Sequence, residues 1–367
     1  MGFILRIFII LLLILASCSK NYTSGTKNTF DSSAILKDTV IENSEYTTII
    51  GVGDIMMGST YPVNSLPPDD GKYIFDDVSE ILSSADVTIG NLEGPLLDKG
   101  GSPKVCANSE RCVTFRMPVR YAEYLKQAGF DLLCIANNHS NDMGQQGRES
   151  TIKTLEENNL GYAGLKSYPK YVLEKNNLKI GFAAFAPNPA CCSINNIEEV
   201  EKIVKELVEE TDIVIVAFHG GAEGLSAQHI NRKSETYIGE NRGNVYEFAH
   251  RLIDAGADII FGHGPHVTRA IEIYKDRFIA YSLGNFCTYA KFGLSGNLGI
   301  APIIKIFVDK KGEFIKGQIF SIKQIKRGIP VLDRDNKVIK VIKQLTESDF
   351  PECEIEISDD GEISKTK

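Results

Sequence analysis

Five short apolar runs rich in β-branched residues, each closed by polar residues, constrain this chain more than any other feature. They are TTIIGVG (47–53), DVTIG (86–90), DLLCIA (131–136), DIVIVAF (212–218) and DIIFG (258–262). Helical spacing fills intervals between them, at Pro118–Ala128, Gln145–Asn158, Ile197–Glu210 and Gly243–Ala255. Pro118 suits a first helical turn, and Gly129 and Gly256 suit stops. This alternation is the pattern of strands covered by helices. LKIGFAAFA (178–186), IEIY with RFIAYSL (271–283), and IIKIFVD with FIKGQIF (303–320) look antiparallel, the last pair turning at Asp309–Gly312. The prediction is an α/β domain with mixed sheets over residues 46–325. Residues 326–367 are charged and weakly patterned apart from a helical segment at Lys337–Thr346, and are expected to form an appendage.

In α/β folds the chemistry collects in loops at the carboxyl ends of strands. Here the first run ends at Asp54, the second at Asn91 and Glu93, and the third at Asn137, Asn138 and His139. The fourth ends at His219 with Glu223 just beyond, and the fifth at His263 and His266. Four of the six histidines fall at such ends, while His229 and His250 read as surface or packing residues. Each polar residue alone could be a cap or a turn residue; their convergence on strand ends points to a metal site. Imidazole and carboxylate donors with one carboxamide suit Zn, Mn or Fe better than Ca or Mg, and no cysteine lies at these ends to make a thiolate site.

The formal charge of -8, without any Lys/Arg-rich block, argues against a nucleic-acid partner. No P-loop, dinucleotide fingerprint or Gly-x-Ser-x-Gly elbow is present, which argues against nucleotide-driven ligation by this chain. Near the N-terminus, the apolar run Ile7–Ala16 follows Arg6 and is too short to span a bilayer, which takes about 20 residues. It reads as a secretory signal over 1–17. Leu15-Ala16-Ser17-Cys18 resembles the lipobox of bacterial lipoproteins, which implies lipidation of Cys18 and an exported, membrane-anchored protein of a bacterial envelope. Residues 18–45, poor in large apolar groups, read as a flexible tether. An exported compartment permits disulfides, and a Cys106–Cys112 bridge is left open. Cys191 and Cys192 read as small residues of a tight loop, and Cys134 as a buried apolar residue.

GDIMMG (53–58), NLEGPL (91–96), ANNHSNDMG (136–144), HGGAEG (219–224), GHGPHV (262–267) and YSLGNF (281–286) form an ordered series. This series resembles the poly-γ-glutamate capsule biosynthesis protein CapA family, itself similar in fold to calcineurin-like metallophosphoesterases. The resemblance implies a two-sheet sandwich flanked by helices and one or two divalent ions (Mn, Zn or Fe). It implies Asp54, Glu93, Asn138, His219, His263 and His266 as metal ligands, and His139 as the non-ligand acid at the leaving group. Asn91, Glu223, Arg116, Arg242 and Asn285, together with Lys291, are candidates to bind an anionic substrate, and the interval Tyr237–Gly243 is expected to be a loop over the site. Two departures stand out: Met56 occupies the place of a usual histidine, and the terminal pair is spaced His263-Gly264-Pro265-His266, one residue longer than His-x-His. The family implies a part in making, exporting or trimming an anionic surface polymer such as poly-γ-glutamate. A metal-dependent hydrolase of phosphoester or γ-glutamyl amide bonds is expected. The alternative is a non-catalytic partner of the polymer or of a membrane synthase.

Overall fold

The computed structural model describes residues 46–106 and 112–366. The expected signal segment, the tether and Cys18 lie outside the described residues. β1 (Thr47–Met56) runs parallel to β2 (Val87–Leu92), and the parallel order continues through β3 (Leu132–Cys134) to β4 (Gly161–Ala163). The chain then builds a second sheet from β5 (Lys170–Lys175), β6 (Leu178–Phe185) and β7 (Ile213–His219). A separate ribbon of β8 (Glu235–Tyr237) and β9 (Glu240–Gly243) follows. β10 (Ile259–His263), β11 (Ile271–Tyr274) and β12 (Arg277–Ala280) complete the second sheet in the order β11-β12-β10-β7-β6-β5. The chain returns to the first sheet with β13 (Asn285–Thr288), β14 (Ile300–Val308), β15 (Phe314–Ile325), β16 (Ile329–Leu332), β17 (Ile355–Ile357) and β18 (Glu362–Lys365). That sheet has ten strands, with β14 antiparallel and β13 parallel to β1.

Period-two alternation in the strands explains the layering. In β7, Ile213, Ile215 and Ala217 face one core while Val214, Val216 and Phe218 face another. In β1, Ile49 faces the first of these cores and Ile50 and Val52 face a third. The first core joins both sheets, so the sheets form a sandwich. The third covers the outer face of the first sheet with α1 (Ser79–Leu82), α2 (Tyr121–Gln127) and α3 (Gly144–Glu157). The second covers the other outer face with α4 (Ile197–Glu210) and α5 (Val245–Asp254). Strands sandwiched this way are buried on both sides, which is why they read as unbroken apolar runs. α4 presents Val200, Val204 and Leu207, spaced as one helical face, to its core. α5 starts where Asn244 accepts the Glu247 N–H at 3.3 Å.

Two glycines of β1 permit close approach. A Cβ at Gly51 would lie 2.3 Å from the Phe261 ring of the opposite sheet, and one at Gly53 would lie 1.9 Å from the Gly284 carbonyl oxygen. Only glycine at these positions lets β10 and β13 close upon β1.

The two-sheet sandwich expected from the family resemblance is therefore what the chain forms. Residues 326–367 depart from expectation. They are no appendage: β16 and β18 pair with β15, β17 pairs with β18, and α6 (Lys337–Asp349) buries Val338, Ile339 and Ile342 in the inter-sheet core. Residues 237–243, expected to be a loop, lie largely in the β8–β9 ribbon. Cys106 and Cys112 are joined by a disulfide, and Cys134, Cys191 and Cys192 are buried free thiols. Among the described residues, no helix is long and apolar enough to cross a membrane.

Candidate metal centre

The carboxyl ends of β1, β2, β7 and β10 meet at one end of the sandwich. Asp54, near the end of β1, is wholly buried and accepts Asn91 Nδ2–H at 2.8 Å. Its other oxygen lies 2.9 Å from His266 Nδ1, and His263 Nδ1 lies 3.5 Å from the first. Glu93, just past β2, is equally buried and lies 3.5 Å from His219 Nε2 and 3.6 Å from His266 Nε2. The two sheets thus contribute opposite walls of one cluster. Asp54, Glu93 and His266 each offer a donor atom, and these atoms all lie within 4.8 Å of one another. His266 reaches between the acids because its backbone turns into the left-handed region, φ 58°, after Gly264 and Pro265. The spacing, one residue longer than His-x-His, is absorbed by that turn.

Asn137 ties the third strand into the cluster by donating to Asn91 Oδ1 at 3.0 Å and to the Leu92 carbonyl at 2.9 Å. Two residues on, the His139 backbone N–H donates to Asn137 Oδ1. The His139 ring stacks on Phe115, centroids 4.2 Å apart, and its Nδ1 lies 2.7 Å from Asp142 Oδ2. Asp142 also accepts the Phe115 N–H at 2.6 Å and pairs with Lys104 Nζ at 2.6 Å. Lys104 donates further to the Asn138 carbonyl at 3.2 Å. Phe292 closes this side, its ring 5.5 Å from Phe115 and 5.0 Å from His266.

Burial and proximity set the charges. Burial alone would raise the Asp54 carboxyl, but the His263 and His266 imidazoles beside it hold it well below the usual carboxylate range. Burial pushes Glu93 well above that range, opposed by the charge of His266. Burial would lower His266, yet Glu93, Asp54 and Glu223 outweigh it and raise the imidazole to about 10. Burial takes His219 well below its ordinary value, and lowers His139 against the opposing pull of Asp142. Both oxygens of Glu93, both ring nitrogens of His219 and of His263, and Asn138 Oδ1 are buried without a hydrogen-bond partner. So many unsatisfied polar atoms in one place are costly unless something binds there.

The structure gathers Asp54, Asn91, Glu93, His219, Glu223, His263 and His266 into one network. Glu223 lies 3.9 Å from His266 and 3.2 Å from Arg242, on the rim. Asn138 and His139 stand together on the third loop. Asn285 pairs in register with Asp54; its Nδ2 donates to the Leu298 carbonyl, and its Oδ1 is buried and unpartnered. Arg116 is engaged elsewhere, by Thr60 Oγ1, the Gly100 carbonyl and the Tyr61 ring. Met56 is fully buried in the outer core of the first sheet.

Sequence reasoning missed Asp142 and Lys104. Asp142 follows His139 by three residues, a spacing that could have flagged it; Lys104 comes from a distant loop with no local signal. It also missed Arg269, fully buried, which donates to both Glu235 oxygens at 2.9 and 2.7 Å and to the Ala222 carbonyl at 3.2 Å. Glu235 in turn accepts the Ala222 N–H at 2.8 Å, so this pair fastens the ribbon to the loop after His219.

Fold and cluster together define a two-sheet α/β sandwich with an acid–imidazole centre at its parallel strand ends. The chain belongs to the family described as bacterial capsule synthesis protein PGA_cap, which it matches over residues 48–290. It is 32% identical over 266 residues to capsule biosynthesis protein CapA of Bacillus anthracis, covering 66% of this chain and 60% of that protein. It is 31% identical over 252 residues to PGA biosynthesis protein CapA of Bacillus subtilis, covering 64% and 61%. The chain thus spans about three fifths of the length of these curated relatives. Among solved structures it is similar to a 5′-nucleotidase precursor from Thermus thermophilus, with TM-score 0.41, 14% identity and 78% and 54% of the two chains covered. It is also similar to the purple acid phosphatase PPD1 of yellow lupin, with TM-score 0.37, 9% identity and 79% and 54% covered.

Proposed function

We propose that the protein is an envelope lipoprotein, anchored through Cys18, whose domain is a metal-dependent hydrolase acting on an anionic surface polymer such as poly-γ-glutamate. The observation that carries this reading is the set of buried, unpartnered donors on Glu93, His219 and His263 around the Asp54–His266 pair, with a further unpartnered donor, Asn138 Oδ1, on the loop after β3. Two acids, three imidazoles and one carboxamide oxygen suit a transition-metal cation such as Mn, Zn or Fe. Asp54, Glu93, Asn138, His219, His263 and His266 would hold it. A bound ion of this kind polarises the scissile group and lowers the pKa of water.

The chain's own residues supply the rest. Asn91 orients Asp54 through its hydrogen bond, and Asn137 in turn holds Asn91. His139, with Nδ1 facing Asp142, leaves Nε2 as the nitrogen that holds or takes a proton at the leaving group. Phe115 and Phe292 wall that side and keep water from it. The relatives named for capsule and PGA biosynthesis support the polymer as substrate and the envelope as location.

One observation favours a second reading, a non-catalytic partner of the polymer or of its synthase. Met56 fills the core where a further histidine would be needed for a full two-ion site. The test is the metal content of the purified protein, with its rates on a generic phosphodiester and on poly-γ-glutamate. Metal bound in stoichiometric amount with turnover of either supports the hydrolase; absence of both leaves the partner reading.

A further inference from the structure

Arg242, on β9, is held at the rim of the metal centre. Its backbone carbonyl accepts the Gly221 N–H at 2.9 Å, and the ribbon that carries it is fastened by the Arg269–Glu235 pair. The side chain is 5% exposed, over the Tyr237 ring. A guanidinium carries five N–H donors. Here Nη2 donates to Glu223, whose second oxygen faces His266 at 3.9 Å. Nη1 has no acceptor, and Nε, 3.0 Å from the carboxylate of the exposed Glu240, forms no hydrogen bond. A buried arginine kept for structure alone would have its donors spent, because unspent buried donors are costly. An arginine waiting for an anion has this arrangement: Nη2 fixed by Glu223 and Nη1 left without an acceptor.

We infer that Arg242 is the subsite for an oxyanion of the substrate, a carboxylate or phosphate next to the scissile bond, with Glu223 fixing the guanidinium and Glu240 competing for it. This deepens the proposed function, on which it rests, by giving the substrate class a specific receptor. For a γ-linked glutamate chain the oxyanion is the α-carboxylate beside each amide.

The test is binding of a tetramer of γ-linked glutamate, of its fully amidated counterpart and of inorganic phosphate to the purified full chain, by calorimetry. Arg242→Met should weaken binding of the acidic tetramer or of phosphate at least tenfold and leave the amidated peptide unaffected, with Arg242→Lys intermediate. Loss confined to the tetramer identifies a carboxylate subsite, and loss confined to phosphate identifies a phosphate subsite. Glu240→Gln, a change at an exposed residue, should tighten binding of the same ligand by removing its competitor; a purely structural ion pair predicts no change. Should Arg242→Met fail to fold, Glu240→Gln decides. Unchanged affinity in the variants, or no binding of either anion by the wild type, overturns the inference. Arg242-dependent binding without hydrolysis would sink the hydrolase and leave the subsite standing.

Discussion

The His139 ring and the Asp142 carboxylate, three residues apart in sequence, meet at 2.7 Å, and that contact fixes which imidazole nitrogen faces the site. Asp142 holds the ring, an ion pair with Lys104 Nζ, the Phe115 N–H and, at its backbone carbonyl, the Lys104 N–H. His139→Ala should therefore leave most metal bound and slow turnover by about 10²–10⁴, the range for general acid–base groups. Asp142→Asn should lower kcat by less and leave KM near its wild-type value. Equal losses of metal and of activity in His139→Ala would place the ring among the ligands instead.

Removing donors should act on metal first. Asp54→Ala, His219→Ala and Glu93→Gln each delete one buried donor, and each is expected to lower metal content in the purified protein, with activity falling in parallel. Metal content equal to wild type in all three variants would show that the cluster holds no ion.

Metal affinity should rise with pH. In the metal-free protein His266 carries its proton up to about 10, and Glu93 is held protonated above the usual carboxylate range. Ligands must be deprotonated to bind, so loading expels protons and is favoured as pH rises toward the His266 value. His219, already neutral because its value is lowered, adds no proton. Between pH 6 and 8 the apparent affinity should rise by about tenfold per pH unit for each proton expelled. Calorimetry in buffers of different ionisation enthalpy counts those protons, and a flat profile would contradict the proposed ligation by His266.

The ribbon should depend on one buried pair. Arg269→Met leaves Glu235 buried without its partner, which for such pairs costs about 3–5 kcal/mol. Adding Glu235→Gln should recover part of the loss, because the unpaired charge is then gone. Urea denaturation of the single and double variants measures both; equal midpoints for wild type and Arg269→Met would mean the ribbon is held by other contacts.

The proposed anchoring is tested at Cys18. Wild-type protein should take up labelled fatty acid and sediment with membranes, and Cys18→Ala should do neither. Wild-type protein without label would remove the lipoprotein reading.

The strands that carry the centre were legible because burial on both faces makes them continuous apolar runs, and because each stops at a polar group. The last strands of the first sheet were not. β17 and β18, with Ile355, Ile357 and Ile363 set among Glu and Ser, are short, and only the pairing of β18 with β15 and of β17 with β18 makes them strands. Glu235 reads as an ordinary surface acid until Arg269, distant in sequence, is brought against it. The centre divides in the same way. Asp54, Glu93, His219, His263 and His266 announce themselves by position, whereas Lys104 becomes part of it only through contacts that the fold creates. Asn138 and Asn137 are adjacent and chemically alike, and only hydrogen bonding separates the residue that ties the loops from the one whose oxygen is left open.

The place of β1 has a consequence for how the chain is made. It lies between β2 and β14, with Thr47 registered against Val308, so the centre of the sheet needs both an early and a late part of the polypeptide. Until the late part leaves the ribosome, β1 has one flank open and the inter-sheet core lacks Ile304, Ile306 and Phe314. Pairings this distant in sequence form slowly. A nascent chain of this design stays unfinished through most of its synthesis, the state in which a polypeptide can still be threaded across a membrane.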